Sequence, residues 1–302
     1  MASTHQETYR SFEGSRSLGA PGFWPIFVGS LRVALKRKLP LLLLSIVPAI
    51  ATCVVSFFVY LKFAAEAKAM PEAFAGNMGF LAEALARQAT THLEARNQII
   101  SFHASMNMFA TLCVAWYGSG LICDDRRSGA FQLYFSRPLS RLQYFLGKLL
   151  CVSFFGVMVS LVPPLVIFVV ASLASHEWAF FYSDWDIVPR SLAFSCVWLS
   201  VTCGLALFAS SLATRKSFAL VGIFSFLGFS VVTGQILGSF VEHDLFSVSL
   251  VFSMQSIAHQ IFNEDVGWTR VESIVAWRSI GVMILFFFSG LTWRLARLQA
   301  VE

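Results

Sequence analysis

Apolar residues fall into six long blocks along this chain: Leu39–Leu61, Ile99–Ile122, Leu149–Ser175, Ser191–Ala213, Ser217–Phe240 and Ile274–Trp293. About 20 helical residues at 1.5 Å each cover the roughly 30 Å hydrocarbon core of a bilayer, so every block is long enough to cross one. None contains Asp or Glu, and Arg278 is the only basic residue inside one. The pattern predicts an all-α integral membrane protein with six transmembrane helices. Pro48 in the first block and Pro163–Pro164 in the third each remove an i→i−4 hydrogen bond and predict kinks.

Shorter patterned stretches fill the intervals. Over 23–38, Pro25, Gly29, Arg32 and Lys36 share one helical face, while Phe23, Phe27, Leu31, Ala34 and Leu35 form the broad opposite one. This predicts an N-terminal interfacial elbow helix with its basic groups toward anionic headgroups. Leu245–Ile257 is apolar but only half a span long. Its Phe246, Leu250, Met254, Ile257 and Ile261 recur at helical spacing, predicting a re-entrant element over 245–262 on the outer side, with a helix lying flat on the surface as the alternative. The loop Lys62–Gln98 is Ala/Glu-rich over Ala82–Arg96, with Glu83 and Arg87 in the favourable i,i+4 order, and predicts a small external helix or an outward extension of the second span. Residues 1–20 are rich in Ser, Gly and Thr and predict a disordered cytosolic tail ahead of a single membrane domain over 21–302.

Composition agrees with this class. Hydrophobic residues make up 57% of the chain and charged residues 13%, against about 25% charged in ordinary soluble domains. The distribution of charge then sets orientation. Arg32, Lys36, Arg37 and Lys38 precede the first block; Arg126, Arg127, Arg137, Arg141 and Lys148 lie between the second and third. Arg215 and Lys216 join the fourth to the fifth, and Arg294 and Arg297 follow the sixth. The remaining loops are acidic or balanced. Six spans with both termini in the cytoplasm satisfy every loop. The six cysteines sit in or beside apolar blocks with no C-x-x-C pair, which reads as buried free thiols.

Polar residues inside the spans are few. His103 and Asn107 lie one turn apart on the second span and read as helix-to-helix hydrogen-bonding groups rather than the lining of a cavity. The other histidines of the outer loops cannot face one another across helices, which excludes a bis-histidine haem. No carboxylate relay of the kind used by ion-coupled carriers is present. Small residues repeat every four positions at Thr111, Ala115 and Ser119 and again at Ser230, Gly234 and Gly238, stripes that let backbones approach closely within one chain or between two. Glycine-rich phosphate loops, zinc-protease motifs and nucleophile elbows are absent. The chain therefore reads as no enzyme, with no cofactor or metal of its own and no nucleic-acid partner.

The most informative stretch is the charged, aromatic-rich insert over 124–148, between the second and third spans. Ser140 and Gln143 form an S-x-x-Q capping box that opens the helix into the third span, and Pro138 ends whatever precedes it. The segment before that break, with Phe131, Leu133, Tyr134 and Phe135, reads as a short helix along the membrane face, its Asp124 and Asp125 at the positive end of the helix dipole. These residues resemble the permease subunits of ABC-2-type transporters. Asp125-Arg126 stands for the family's acidic-arginine pair and Ser128-Gly129-Ala130 for its S-G-T. Ser136-Arg137-Pro138-Leu139-Ser140-Arg141 and Gly147-Lys148 complete the match.

The resemblance implies a permease of the cytoplasmic (inner) membrane, an exporter subunit of type V transmembrane architecture, whose ATP and Mg are held by a separate ABC ATPase subunit in two copies. A second permease copy or a paralogue would complete the complex within the membrane lipids. Its ATPase-coupling residues would be Asp125, Arg126, Ser128, Gly129, Phe131, Arg137, Pro138, Arg141, Gly147 and Lys148. The Ser230, Gly234 and Gly238 stripe would pack the permease dimer. Two other readings stand beside it: a carrier or channel working without an ATPase, and an ATPase-coupled mechanotransmitter that transports nothing.

Overall fold

A computed structural model describes residues 22–36, 38–66, 95–130, 140–263 and 271–300. The tail 1–20, most of the predicted external helix, and Phe131, Arg137 and Pro138 of the insert lie outside the described residues. Among those described there is no strand. Eleven α-helices follow one another: α1 (Phe23–Leu35), α2 (Lys38–Glu66), α3 (Ala95–Leu121), α4 (Cys123–Arg127), α5 (Arg141–Ser160), α6 (Val162–Ala174), α7 (Ala179–Asp184), α8 (Ile187–Leu212), α9 (Lys216–Phe240), α10 (Leu250–Phe262) and α11 (Ser273–Ala300). Two short 3-10 turns, His176–Trp178 and His243–Val248, precede α7 and α10.

Five stretches are long and apolar enough to cross a membrane: Ala95–Arg127, Arg141–Ala174, Ile187–Leu212, Lys216–Phe240 and Ser273–Arg294. The helix α2 is 29 residues long, and its described apolar part runs from Ser45 to Leu61. Burial divides these helices into a centre and a periphery. In their most apolar windows α3 and α8 are each 61% buried, whereas α9 is 17% and α11 22%. The centre is therefore α3, α5 and α8, joined by Val114, Val152, Leu199 and Ala206. Close approach there depends on glycine: a Cβ at Gly118 would stand 2.8 Å from Ala206 Cβ, and one at Gly156 would stand 2.4 Å from Leu199 Cδ2.

The two prolines of the third block act differently from the one in the first. Helix α5 ends at Ser160 and α6 begins at Val162, with Pro163 and Pro164 opening the new helix, so the third apolar block is broken in its middle. Neither proline can donate an N–H to the turn before it, and the chain restarts where that loss is cheapest, in a first helical turn. Pro48 instead lies within an unbroken α2, where Thr52 Oγ1 donates to the Pro48 carbonyl at 2.6 Å.

Of the positions expected to share a helical face over 245–262, Leu250, Met254 and Ile257 lie on α10 and face inward, Phe246 falls in the 3-10 turn before it, and Ile261 is half-buried. Phe246, Leu250, Met254, Ile257, Ala258 and Phe262 are all buried, as are Ser249, Ser253 and Ser256. The Ser253 and Ser279 hydroxyls both donate to the Ser247 carbonyl, at 2.9 and 2.5 Å, and Ser256 donates to the Val271 carbonyl at 2.8 Å. The element packs against α8, α9 and α11.

Two members of the Ser230, Gly234 and Gly238 stripe are in close contact with their own chain. A Cβ at Gly234 would meet Ser249 Cβ at 2.8 Å, and one at Gly238 would meet the Phe246 ring at 2.4 Å. Phe246 and Ser249 of the same chain lie against these two glycines. The small residues are there because an aromatic ring must come within contact of the α9 backbone.

Candidate functional site

The elbow helix, the insert and the start of the third block meet at one end of the bundle. Helix α1 turns Ile26, Ser30 and Ala34 inward, and Phe27 and Leu31 pack beside Ala34 against Tyr117, Cys151 and Phe155. The contact with α5 is close at Gly147, where a Cβ would stand 2.8 Å from both Ile26 Cβ and the Phe23 carbonyl oxygen. Glycine at this position is what lets the elbow lie directly on α5.

The next residue of α5, Lys148, is almost fully buried, its side chain 3% exposed. Its Nζ lies 2.7 Å from Asp125 Oδ2 and donates to Ser30 Oγ at 3.1 Å. Tyr144, one turn earlier on α5 and itself buried, donates its hydroxyl to the same Asp125 oxygen at 2.9 Å. A buried ammonium is costly unless paired and hydrogen-bonded, and here a carboxylate from α4 and a hydroxyl from α1 meet that requirement together. Three elements, α1, α4 and α5, are thus bound at one nitrogen.

Arg126 works in the other direction. Its guanidinium donates to the carbonyls of Ala213 at 2.9 Å and Ser211 at 3.4 Å, which belong to the otherwise unpaired C-terminal end of α8. In return, Ser210 Oγ accepts from the Ile122 and Cys123 N–H groups at 3.1 and 3.2 Å, the free donors that open α4. Two helix ends therefore satisfy each other's orphan backbone groups. Beyond α4 the chain turns at Gly129, whose φ of +69° is disfavoured for a side-chain-bearing residue.

Of the residues expected to contact an ATPase, Asp125, Arg126, Gly147 and Lys148 thus hold internal contacts, while Ser128, Gly129 and Arg141 are exposed. Ser140 and Gln143 form the full capping box, with bonds of 3.2 and 3.1 Å. Ser30, Tyr144, Ser210 and the Ala213 carbonyl were not found by reading the sequence. A lone serine on an amphipathic helix gives no sign of a lysine 118 residues away.

Two further polar clusters tie the spans. In the bundle core, His103 Nε2 and Ser160 Oγ both lie 2.8 Å from Ser195 Oγ, and Ser160 donates to Asn107 Oδ1 at 2.6 Å. Trp198 Nε1 continues the network to Thr111 Oγ1 at 2.8 Å. This network joins α3 and α8 to the last residue of α5, beside the proline break. At the opposite end, Arg96 pairs with Asp184 at 2.7 Å and Asp186 at 3.0 Å, and Arg190 pairs with Asp186 at 3.1 Å. Arg190 also donates to the Phe262 carbonyl at 2.7 Å, closing the end of α10. The hydrogen bond from Arg96, with the charges of Arg96 and Arg190, holds the Asp186 carboxyl below its ordinary range against the opposing effect of burial.

Among the described residues no group of His, Cys, Asp or Glu is arranged to hold a metal ion. A family model described as ABC-2 family transporter protein matches residues 24–292. A comparison with curated proteins found no match.

Proposed function

We propose that this chain, which belongs to the ABC-2 family of transporter proteins, is the permease subunit of an exporter driven by a separate ATPase. In this reading it has six spans with both termini cytosolic, the 243–262 element enters from the outer face, and the 124–148 insert is the seat for the ATPase. ATP and Mg belong to the partner. The observation that carries the reading is the Asp125–Lys148–Ser30 contact together with the Arg126 bond to the end of α8. Through these, a push on the insert moves α1, α5 and α8 together, whereas a merely solvated loop would yield alone.

The nucleotide state of the ATPase would then bias the permease only as far as the insert binds differently in its two arrangements. The Ser160–Ser195–Asn107 network lies where α5 meets α6 and gives the displacement a defined point at which to bend. A second permease copy would meet the outer face of α9, where Phe218, Val221, Phe229 and Val232 are exposed and Gly222 and Gly228 have open space beyond them.

The test replaces residues 128–139 with a Gly/Ser linker, leaving the Asp125–Lys148 pair in place. The altered protein is expected to insert in the membrane yet to lose the ATPase on purification. Retention of the ATPase, or transport by the purified permease alone at the full rate, overturns the proposal.

A further inference from the structure

Two clefts under the elbow helix share a wall and differ sharply in chemistry. The first, about 130 Å³, is lined by Ser30, Asp124, Asp125, Lys148 and Lys216 beside the backbone of α1 at Gly29. The second, about 240 Å³, is lined almost wholly by carbon, including Leu35, Cys113, Phe154 and Met158. Tyr117 lines both. From Cys113 to Asp124 the chain advances about 16 Å at 1.5 Å per residue, close to half of a hydrocarbon core of roughly 30 Å. The pair is polar at one end, apolar at the other, and as deep as a single lipid leaflet.

We propose that this paired cleft binds one phospholipid with a primary-ammonium headgroup of the ethanolamine type. The polar cleft carries two carboxylates and two ammonium groups, so its formal charges cancel. A purely anionic headgroup finds no net attraction there, while a zwitterion can place its phosphate by Lys216 and its ammonium by Asp124 at the rim, with the buried Asp125–Lys148 pair left intact. Lys216 is held at that rim, its Nζ 4.1 Å from the centre of the Trp116 ring. A primary ammonium donates hydrogen bonds to a carboxylate; a trimethylammonium has no N–H to give.

Tyr117 supplies an independent reason. Its ring stacks on Phe155 at 3.9 Å, and its hydroxyl is buried with no hydrogen-bond partner among the described residues. Burial without a partner is costly for a hydroxyl. Between a headgroup and an acyl chain lie the ester carbonyls of a glycerolipid, which accept hydrogen bonds, and the Tyr117 hydroxyl donates to one of them. The apolar cleft beyond takes the acyl chain. This site depends on the membrane placement of the helices and not on the ATPase.

The experiment titrates delipidated, purified protein with ethanolamine, choline and glycerol phospholipids of identical chains and counts bound lipid by native mass spectrometry. The wild type is expected to hold the ethanolamine lipid about tenfold more tightly than the choline lipid, the equivalent of one hydrogen bond to a charged group. Gly29→Leu, whose Cβ enters open space, should fill the polar cleft and lose the bound lipid while unfolding at the wild-type temperature in lipid-free detergent. Lys216→Gln, which leaves the buried Asp125–Lys148 pair intact, should weaken the ethanolamine lipid about tenfold, and serves if Gly29→Leu fails to fold. Equal binding of the three lipids, tighter binding of the glycerol lipid, or unchanged ethanolamine binding in a folded Gly29→Leu or in Lys216→Gln overturns the proposal.

Discussion

Replacing Lys148 with Met removes the ammonium and keeps most of the side-chain volume. At 2.7 Å, two unit charges in an effective dielectric of about 20 attract by roughly 6 kcal/mol. Most of that offsets the several kcal/mol each ion loses on leaving water. What remains visible is the cost of stranding one partner, about 3–5 kcal/mol for a buried pair. Asp125 is 17% exposed and keeps the Tyr144 hydroxyl, which places Lys148→Met at the lower end, about 3 kcal/mol. Asp125→Asn in the same protein removes the stranded charge, so the double variant should recover at least half of the loss. The assay is chemical unfolding of the four proteins in one detergent, arranged as a double-mutant cycle. Wild-type stability in Lys148→Met, or a double variant no better than the worse single one, would refute the reasoning that this pair holds the elbow to the insert.

Three other substitutions or conditions bear on separate parts of the fold. Gly147→Leu must displace Ile26 and the Phe23 carbonyl, and should lower stability by about 1–3 kcal/mol and raise protease sensitivity at the elbow. Gly238→Leu must expel Phe246 and should destabilise the isolated subunit in unfolding measurements, an effect absent if this face served only a second copy. The cluster around Asp186 is acid-sensitive with a definite sign: because the folded Asp186 pKa is depressed, its stabilisation is complete above the unfolded value of about 3.9 and is lost as pH falls through the lower folded value. The exchange protection factor at the start of α8, with the intrinsic pH dependence of amide exchange divided out, should therefore be unchanged from pH 7 to pH 5 and fall only under stronger acid, and Asp186→Asn should lower it between pH 5 and pH 7.

The long elements were legible because a bilayer demands length and apolarity, which composition records directly; the break at Pro163–Pro164 and the Ser140–Gln143 capping box were legible because each rests on local backbone chemistry. Partners were harder. The spacing of Ser230, Gly234 and Gly238 shows that something approaches closely, but small residues do not say what fills the groove, and the filler proved to be Phe246 of the same chain. His103 and Asn107 stood out as polar groups on an apolar helix, whereas Ser160 and Ser195 look in sequence like Ser172, whose hydroxyl merely bonds its own helix at Phe168. The acidic-arginine pair and Gly147-Lys148 were recognisable as a pattern, but their partners within the chain, Ser30 and the Ala213 carbonyl, were not. Contacts so distant in sequence leave no periodicity to read.

The coupling account is tested most directly by Arg126→Ala in proteoliposomes holding the permease and its ATPase, with transport and ATP hydrolysis followed together. The Arg126 bonds to the Ala213 and Ser211 carbonyls are bonds to a charged group, so their loss corresponds to about a tenfold change. The prediction is that the ATPase still binds and hydrolyses ATP, while solute moved per ATP falls about tenfold. An unchanged ratio of transport to hydrolysis in a folded Arg126→Ala complex would contradict it.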